Sequence, residues 1–110
     1  MSMQLSHNPS LSELQEYFQR VLTERGFDDE SVKDKLVLLM EEIGELARAI
    51  RKSEGLAMAD DTKRSEAAEE IADCIIYLTD IANKLSIDLP QALRAKEEKN
   101  QQREWKKNVS

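Results

Sequence analysis

The sequence predicts an all-α fold, an antiparallel four-helix bundle assembling as a homo-oligomer. Three observations carry this. Glycine and proline are scarce, at 3 and 2 residues. No β-branched alternating run appears, and apolar residues recur at helical spacing throughout. At 110 residues the chain is one domain over 1–110 with a modest core, for which a partner subunit would be a help.

The first helix is expected from Ser10 to Arg25. Ser10 with Glu13 makes a capping box, and Gly26 supplies the stop. The second runs from Asp29 to Ser53, with Asp28 or Asp29 as its cap and Gly55 just past its end. Residues 56–62 read as a loop. The third helix runs from Lys63 to Leu85. Asp88 then caps a fourth, with Pro90 in its first turn and Gln91 at the box position, ending near Lys106. Residues 1–9 and 107–110 are expected to be frayed tails.

Bulk properties exclude several classes. A hydrophobic fraction of 40% is too high for a disordered chain, and a charged fraction of 35% too high for a membrane protein. No apolar run approaches the roughly 20 residues of a membrane span. Met1 to Pro9 lacks a charged segment followed by an apolar one, so no signal peptide is expected. One cysteine, Cys74, permits no intrachain disulfide and fits a reducing cytoplasm. The net charge of −6 argues against nucleic acid as a partner. An anionic ligand would need a cation to bridge it to such a surface.

On a wheel of about 100° per residue, Leu36, Leu39, Ile43, Leu46 and Ile50 form the apolar stripe of the second helix. Leu38 and Ala49 extend it. Glu42 falls inside that arc, Glu45 lies at its edge, and Glu41 lies further out. In the third helix the stripe is Ile71, Cys74, Leu78, Ile81 and Leu85. Glu70 falls inside it and Asp73 at its edge. Each helix thus aims two carboxylates, at i and i+3, toward the core. Burying like charges together is costly, and a hard divalent cation relieves the cost. All-oxygen ligation points to Mg²⁺, with Mn²⁺ as a substitute, rather than to zinc.

Other acids read as solvated surface: Glu13, Glu16, Glu54, Glu66 and Glu104. Glu41 and Glu69 fit either class. A di-iron bundle would want Glu-x-x-His pairs, and the single histidine, His7, lies outside the helices. Asp60-Asp61 lacks the glycine-centred pattern of a calcium loop.

Glu41-Glu42-Ile43-Gly44-Glu45 on the second helix resembles the Glu-Glu-x-x-Glu motif of the MazG-type pyrophosphohydrolases. Glu69-Glu70-Ile71-Ala72-Asp73 on the third resembles their Glu-x-x-Asp motif. The resemblance extends from about Lys35 to Trp105. It implies that Glu42, Glu45, Glu70 and Asp73 ligate Mg²⁺, with Glu41 orienting or deprotonating the attacking water. It also implies a helical dimer or tetramer. The implied reaction hydrolyses (deoxy)nucleoside triphosphates to a monophosphate and pyrophosphate, clearing unwanted nucleotides.

Lys96, Asn100 and Arg103 resemble the family's Lys-x-x-x-Asn-x-x-Arg segment. They share one helical face and suit a polyphosphate tail. The plainer alternative is a solvated basic helix end suited to the macrodipole, and the substrate-binding reading is preferred to it. Tyr77 lies one turn beyond Asp73. In dCTP-cleaving members a tyrosine here stacks near the base or sugar, and a core role fits it as well. Cys74 reads as a packing residue. Trp105 either caps the core or closes the site. Val37 and Ile76 lie off the main stripes, suggesting a second buried face and hence a homo-oligomer. Two rivals stand beside this reading: an acidic helical interaction module without catalysis, and an enzyme of the same fold acting on another diphosphate, such as a phosphoribosyl intermediate of histidine synthesis.

Overall fold

A computed structural model describes residues 4–52 and 61–103, with side chains from 65 onward in the second stretch. Among these residues there are four helices and no strand: α1 (Leu11–Glu24), α2 (Val32–Lys52), α3 (Asp61–Lys84) and α4 (Leu89–Gln102). Trp105 and the expected loop residues 56–60 lie outside the described residues; Asp61 and Thr62, expected in that loop, belong to α3.

Local chemistry sets the helix ends. Ser10 Oγ accepts from the Glu13 N–H at 3.1 Å, and the Glu13 carboxylate accepts from the Ser10 N–H at 2.8 Å. This is the expected capping box. The backbone bond from Ser10 also holds the Glu13 carboxyl below its ordinary pKa. α1 ends in a Schellman motif: the Gly26 N–H reaches Thr23 O at 3.1 Å and the Phe27 N–H reaches Leu22 O at 2.9 Å. Gly26 stands at φ +84°, where a side chain would be strained. The end of α3 repeats the motif through Ser86 and Ile87, bonded to Asn83 O and Ala82 O. There the left-handed residue is Ser86, at φ +57°.

The cap of α2 is Ser31, not Asp28 or Asp29. Its Oγ accepts from the Asp34 N–H, and Asp34 returns a bond to the Ser31 N–H, both at 3.1 Å. A reciprocal pair satisfies two end donors, which a lone aspartate upstream would not. α4 begins as expected, with the Asp88 carboxylate accepting from the Gln91 N–H. It ends at Gln102, short of Lys106, because Arg103 turns extended at ψ 146°.

α2 and α3 form the main packed pair. They run antiparallel, since Lys35 near the start of α2 meets Asp80 late in α3, while Glu42 meets Glu70 earlier in α3. α1 packs on α3, burying Phe18 and Val21, and α4 rests on α1 without burying any residue of its own. One side chain joins three of these pieces. The Gln15 amide donates to Asn83 Oδ1 and Ile87 O and accepts from the Leu89 N–H, while Asn83 donates back to Gln15 O.

The apolar stripes need correction. Leu39 is buried as expected, but Leu36, Ile43 and Ile50 on α2, with Ile71, Leu78 and Leu85 on α3, are each roughly half exposed. Within one copy, α2 is covered chiefly by α3. The line it turns inward runs Lys35, Leu39, Glu42, Leu46, Ala49, at helical spacing but rotated from the expected stripe. Val37 is exposed, whereas Ile76 lines a cavity rather than a free face. None of the described helices is long and apolar enough to cross a membrane.

Candidate metal centre

Glu42 on α2 and Glu70 and Asp73 on α3 converge. All three are half-buried, and each offers a carboxylate oxygen within 4.8 Å of the others. The antiparallel pairing puts Glu42 opposite the Glu70–Asp73 turn, so the inward position read from the wheel becomes a three-acid cluster. One oxygen, Glu70 Oε2, is buried with no hydrogen-bond partner among the described residues. The Glu42 carboxyl is pushed up from 4.5 to about 7: first by a hydrogen bond with Glu70, then by burial, then by repulsion from Glu70, Asp73 and Glu45. Glu42 therefore holds a proton at mildly acidic pH, and that proton stands in for a cation. An oxygen-only donor set with an orphaned buried oxygen fits a hard divalent ion such as Mg²⁺.

Glu45, expected as a fourth ligand, lies outside this cluster. It is exposed and pairs with Arg48 at 3.0 Å. Glu41 and Glu69 are exposed. Cys74 is half-buried beside the acids. Burial first, then the charges of Glu42, Glu70 and Asp73, raise its thiol pKa, which makes it a poor nucleophile and suits a packing role.

Toward the end of α3 the cluster opens on a cavity of about 430 Å³, whose lining includes Asp73, Tyr77 and Asp80. Its size suits a small-molecule site, for which roughly 300–1,000 Å³ is usual. Tyr77 is half-buried there. Burial first, then repulsion from Glu42, raises its phenol pKa, so it stays protonated. Toward the start of α3 a second cavity of about 190 Å³ joins Glu70 to Glu45, Arg48 and Lys52.

Several residues of the larger cavity, Phe27, Glu30, Lys35 and Asp80 among them, are not among the expected site residues. Lys35 is 2% exposed, with its Nζ 2.7 Å from Glu30 Oε1 and 3.0 Å from Asp80 Oδ2. The Phe27 ring centroid lies 5.3 Å from the same nitrogen. Burial works to lower the Lys35 pKa, but bonds and attraction to Glu30 and Asp80 outweigh it and leave the pKa raised. The signal was present in the sequence: Lys35 and Asp80 extend the very lines that carry Glu42 and Asp73, at multiples of helical spacing. A stripe drawn through Leu36 and Ile43 leaves Lys35 outside it.

The basic residues of α4 are not brought to the cluster within one copy. Lys96 is exposed and Asn100 half-buried, on a helix that packs against α1. Arg103 falls past the helix end, so it no longer shares a helical face with the other two. Neither cavity carrying Glu70 or Asp73 is lined by an α4 residue.

Residues 30–107 match the model of the MazG nucleotide pyrophosphohydrolase domain. The chain is similar to dCTP pyrophosphatase 1 of Mus musculus, 31% identical over 103 residues, covering 89% of this chain and 61% of that protein. The Rattus norvegicus and Bos taurus proteins of the same name are 30% and 28% identical, with the same coverage. The chain thus spans 61% of the length of these relatives.

Proposed function

The chain belongs to the MazG nucleotide pyrophosphohydrolase family, and from that premise we propose that it hydrolyses (deoxy)nucleoside triphosphates to a nucleoside monophosphate and pyrophosphate. The observation that carries the reading is the Glu42–Glu70–Asp73 cluster with its orphaned buried oxygen. These three residues would hold Mg²⁺. Glu45, one turn from Glu42, joins them by a rotamer change that gives up its exposed pair with Arg48, a pair worth little. Bound there, Mg²⁺ supplies positive charge for the phosphoryl oxygens and a more acidic water.

The remaining roles fall to the chain. Glu41 orients the attacking water at the α-phosphorus, and Tyr77 lies beside the base or sugar. Lys96, Asn100 and Arg103 steady the β,γ unit from a second copy of the chain. In support of that copy, Leu36, Met40, Ile43, Ile71, Ile75 and Leu78 leave α2 and α3 with a broad exposed apolar surface. The relatives are named for dCTP; the metal cluster itself does not select a base.

Hydrolysis of a nucleotide panel with Mg²⁺ in ¹⁸O-labelled water tests the reading. Attack at the α-phosphorus puts the label in the monophosphate and leaves pyrophosphate unlabelled. Label in free phosphate, with a nucleoside diphosphate as co-product, would overturn it.

A further inference from the structure

We propose that Gln15 of α1 is a positioning residue for the hydrolysis: its side-chain amide sets the angle of α4, and so the reach of Lys96 and Asn100. The inference rests on the reading of these α4 residues as holding the triphosphate tail. It adds the group that aims them, in the copy that supplies them.

α4 has little else to fix its direction. It buries none of its own residues, and among the described helices it rests chiefly on α1. Two helices normally set their angle by interlocking apolar ridges. Here Gln15 grips the chain on both sides of the Asp88 cap. Its Nε2 donates to Ile87 O at 2.8 Å, and its Oε1 accepts from the Leu89 N–H at 2.9 Å. Leu89 opens α4, so its N–H is one of those that a helix cannot satisfy from within.

A carboxamide suits this place. Ile87 O needs a donor and the Leu89 N–H needs an acceptor, and one planar group supplies both. Asn83 decides which way round that group lies. Its Nδ2 donates to Gln15 O at 3.0 Å, so its Oδ1 is turned to Gln15 Nε2, at 3.1 Å. The nitrogen end of Gln15 is thereby directed to Ile87 and the oxygen end to Leu89. Both side chains are half-buried, which strengthens the network relative to one in open water.

Leverage makes the clamp matter. Asn100 lies 11 residues beyond Leu89, about 16 Å along the helix at a rise of 1.5 Å per residue. A tilt of about 10° at the clamp carries Asn100 sideways by roughly 3 Å. A hydrogen bond to a phosphate oxygen does not survive such a shift. Glu42, Glu70 and Asp73, on α2 and α3, keep their places under the same tilt.

The test compares two losses at the same helix end, in the full chain. Gln15→Met keeps the length of the side chain and removes its bonds to Ile87, Leu89 and Asn83. Asp88→Ala removes the cap bond to Gln91, which lies within the stretch of chain belonging to α4. Residual dipolar couplings of backbone amides report the orientation of α4 against α1–α3. Pyrophosphate release with Mg²⁺ gives KM and kcat. Gln15→Met should turn α4 and raise KM roughly three- to tenfold, the effect of about one net hydrogen bond, with kcat nearly unchanged. Asp88→Ala should lower the melting temperature but leave orientation and KM at parental values. Asn83→Ala, which removes the partner that orients the amide, should act as Gln15→Met does, so the test survives one variant that fails to fold. An α4 that keeps its orientation in the folded clamp variants, an unchanged KM, or equal effects of Gln15→Met and Asp88→Ala would each overturn the inference, while the hydrolase reading stands on the parent's turnover. A parent that releases no pyrophosphate from any triphosphate overturns the hydrolase reading itself, whatever α4 does, and this role of Gln15 with it.

Discussion

Two groups of acids lie along the same α2–α3 seam and are handled in opposite ways. At the Asp80 end, two carboxylates face a lysine of the chain itself, with contacts of 2.7 and 3.0 Å. At the Glu42 end, three carboxylates face one another with no cationic side chain in the cluster among the described residues, and one of them takes up a proton near neutral pH. Seven residues separate Lys35 from Glu42, and seven separate Asp73 from Asp80. The chain evidently can place a cation on this seam. The contrast teaches that acid clustering alone does not mark a ligand site; the absence of an internal counter-charge does.

The largest effect should come from removing that counter-charge. Lys35→Met leaves Asp80 as an uncompensated buried charge, while Glu30, more exposed, can turn to water. Breaking a buried pair in this way costs about 3–5 kcal/mol. Urea denaturation should show it as a lowered midpoint. Replacing both partners, Lys35→Met with Asp80→Leu, should recover most of the loss. A single variant as stable as the parent would erase the distinction between the two ends.

Next in size is the response to metal. Mg²⁺ at 100 times its dissociation constant should stabilise the native state by about 2.7 kcal/mol. Thermal melts in chelator and in Mg²⁺ would show the difference. Glu70→Gln should abolish it, along with turnover, while Glu13→Gln, in the cap of α1, should leave the metal response intact. Superimposable melts for the unaltered protein would count against the metal centre.

The smallest effect is the pH dependence without metal. The Glu42 carboxyl is raised from 4.5 to about 7 in the folded protein. The native state therefore holds a proton that the unfolded chain releases. This contribution is fully present below pH 4.5 and is lost as pH rises through about 7. With solvent contact weakening the interaction, a loss on the order of 1 kcal/mol is expected between pH 5 and 8. Denaturation midpoints in chelator should fall over that range, and both Mg²⁺ and Glu42→Gln should flatten the trend.

Much of the architecture is legible in the sequence because caps and stops are local. Ser10 with Glu13, Gly26, and Asp88 with Gln91 each act within a few residues, and all three were readable. The cap at Ser31 was not, since Asp28 and Asp29 offer the same chemistry and only the reciprocal bond with Asp34 selects the serine. Glu42, Glu70 and Asp73 were legible because they violate an apolar period. Lys35 and Asp80 violate it too, but their meaning depends on which α3 residue stands opposite, a fact of pairing rather than of periodicity. The direction of the apolar stripes was misread for a related reason. A helix wheel reports that a face is apolar, not how much of it one neighbour covers.

The line Glu70, Asp73, Tyr77, Asp80 makes α3 a measuring rod as well as a scaffold. Its marks keep their facing only because they recur near whole turns of 3.6 residues. One residue inserted between Asp73 and Asp80 would swing the far mark by about 100°, off the seam and away from Lys35. Seven inserted residues would restore the facing but lengthen the rod by about 10 Å, too far for one small molecule to touch both ends. Point changes along this stretch can tune what is bound, whereas changes of length cannot. A change of length inside the rod therefore breaks the pairing with α2, and the interval from Asp73 to Asp80 is a fixed unit of distance.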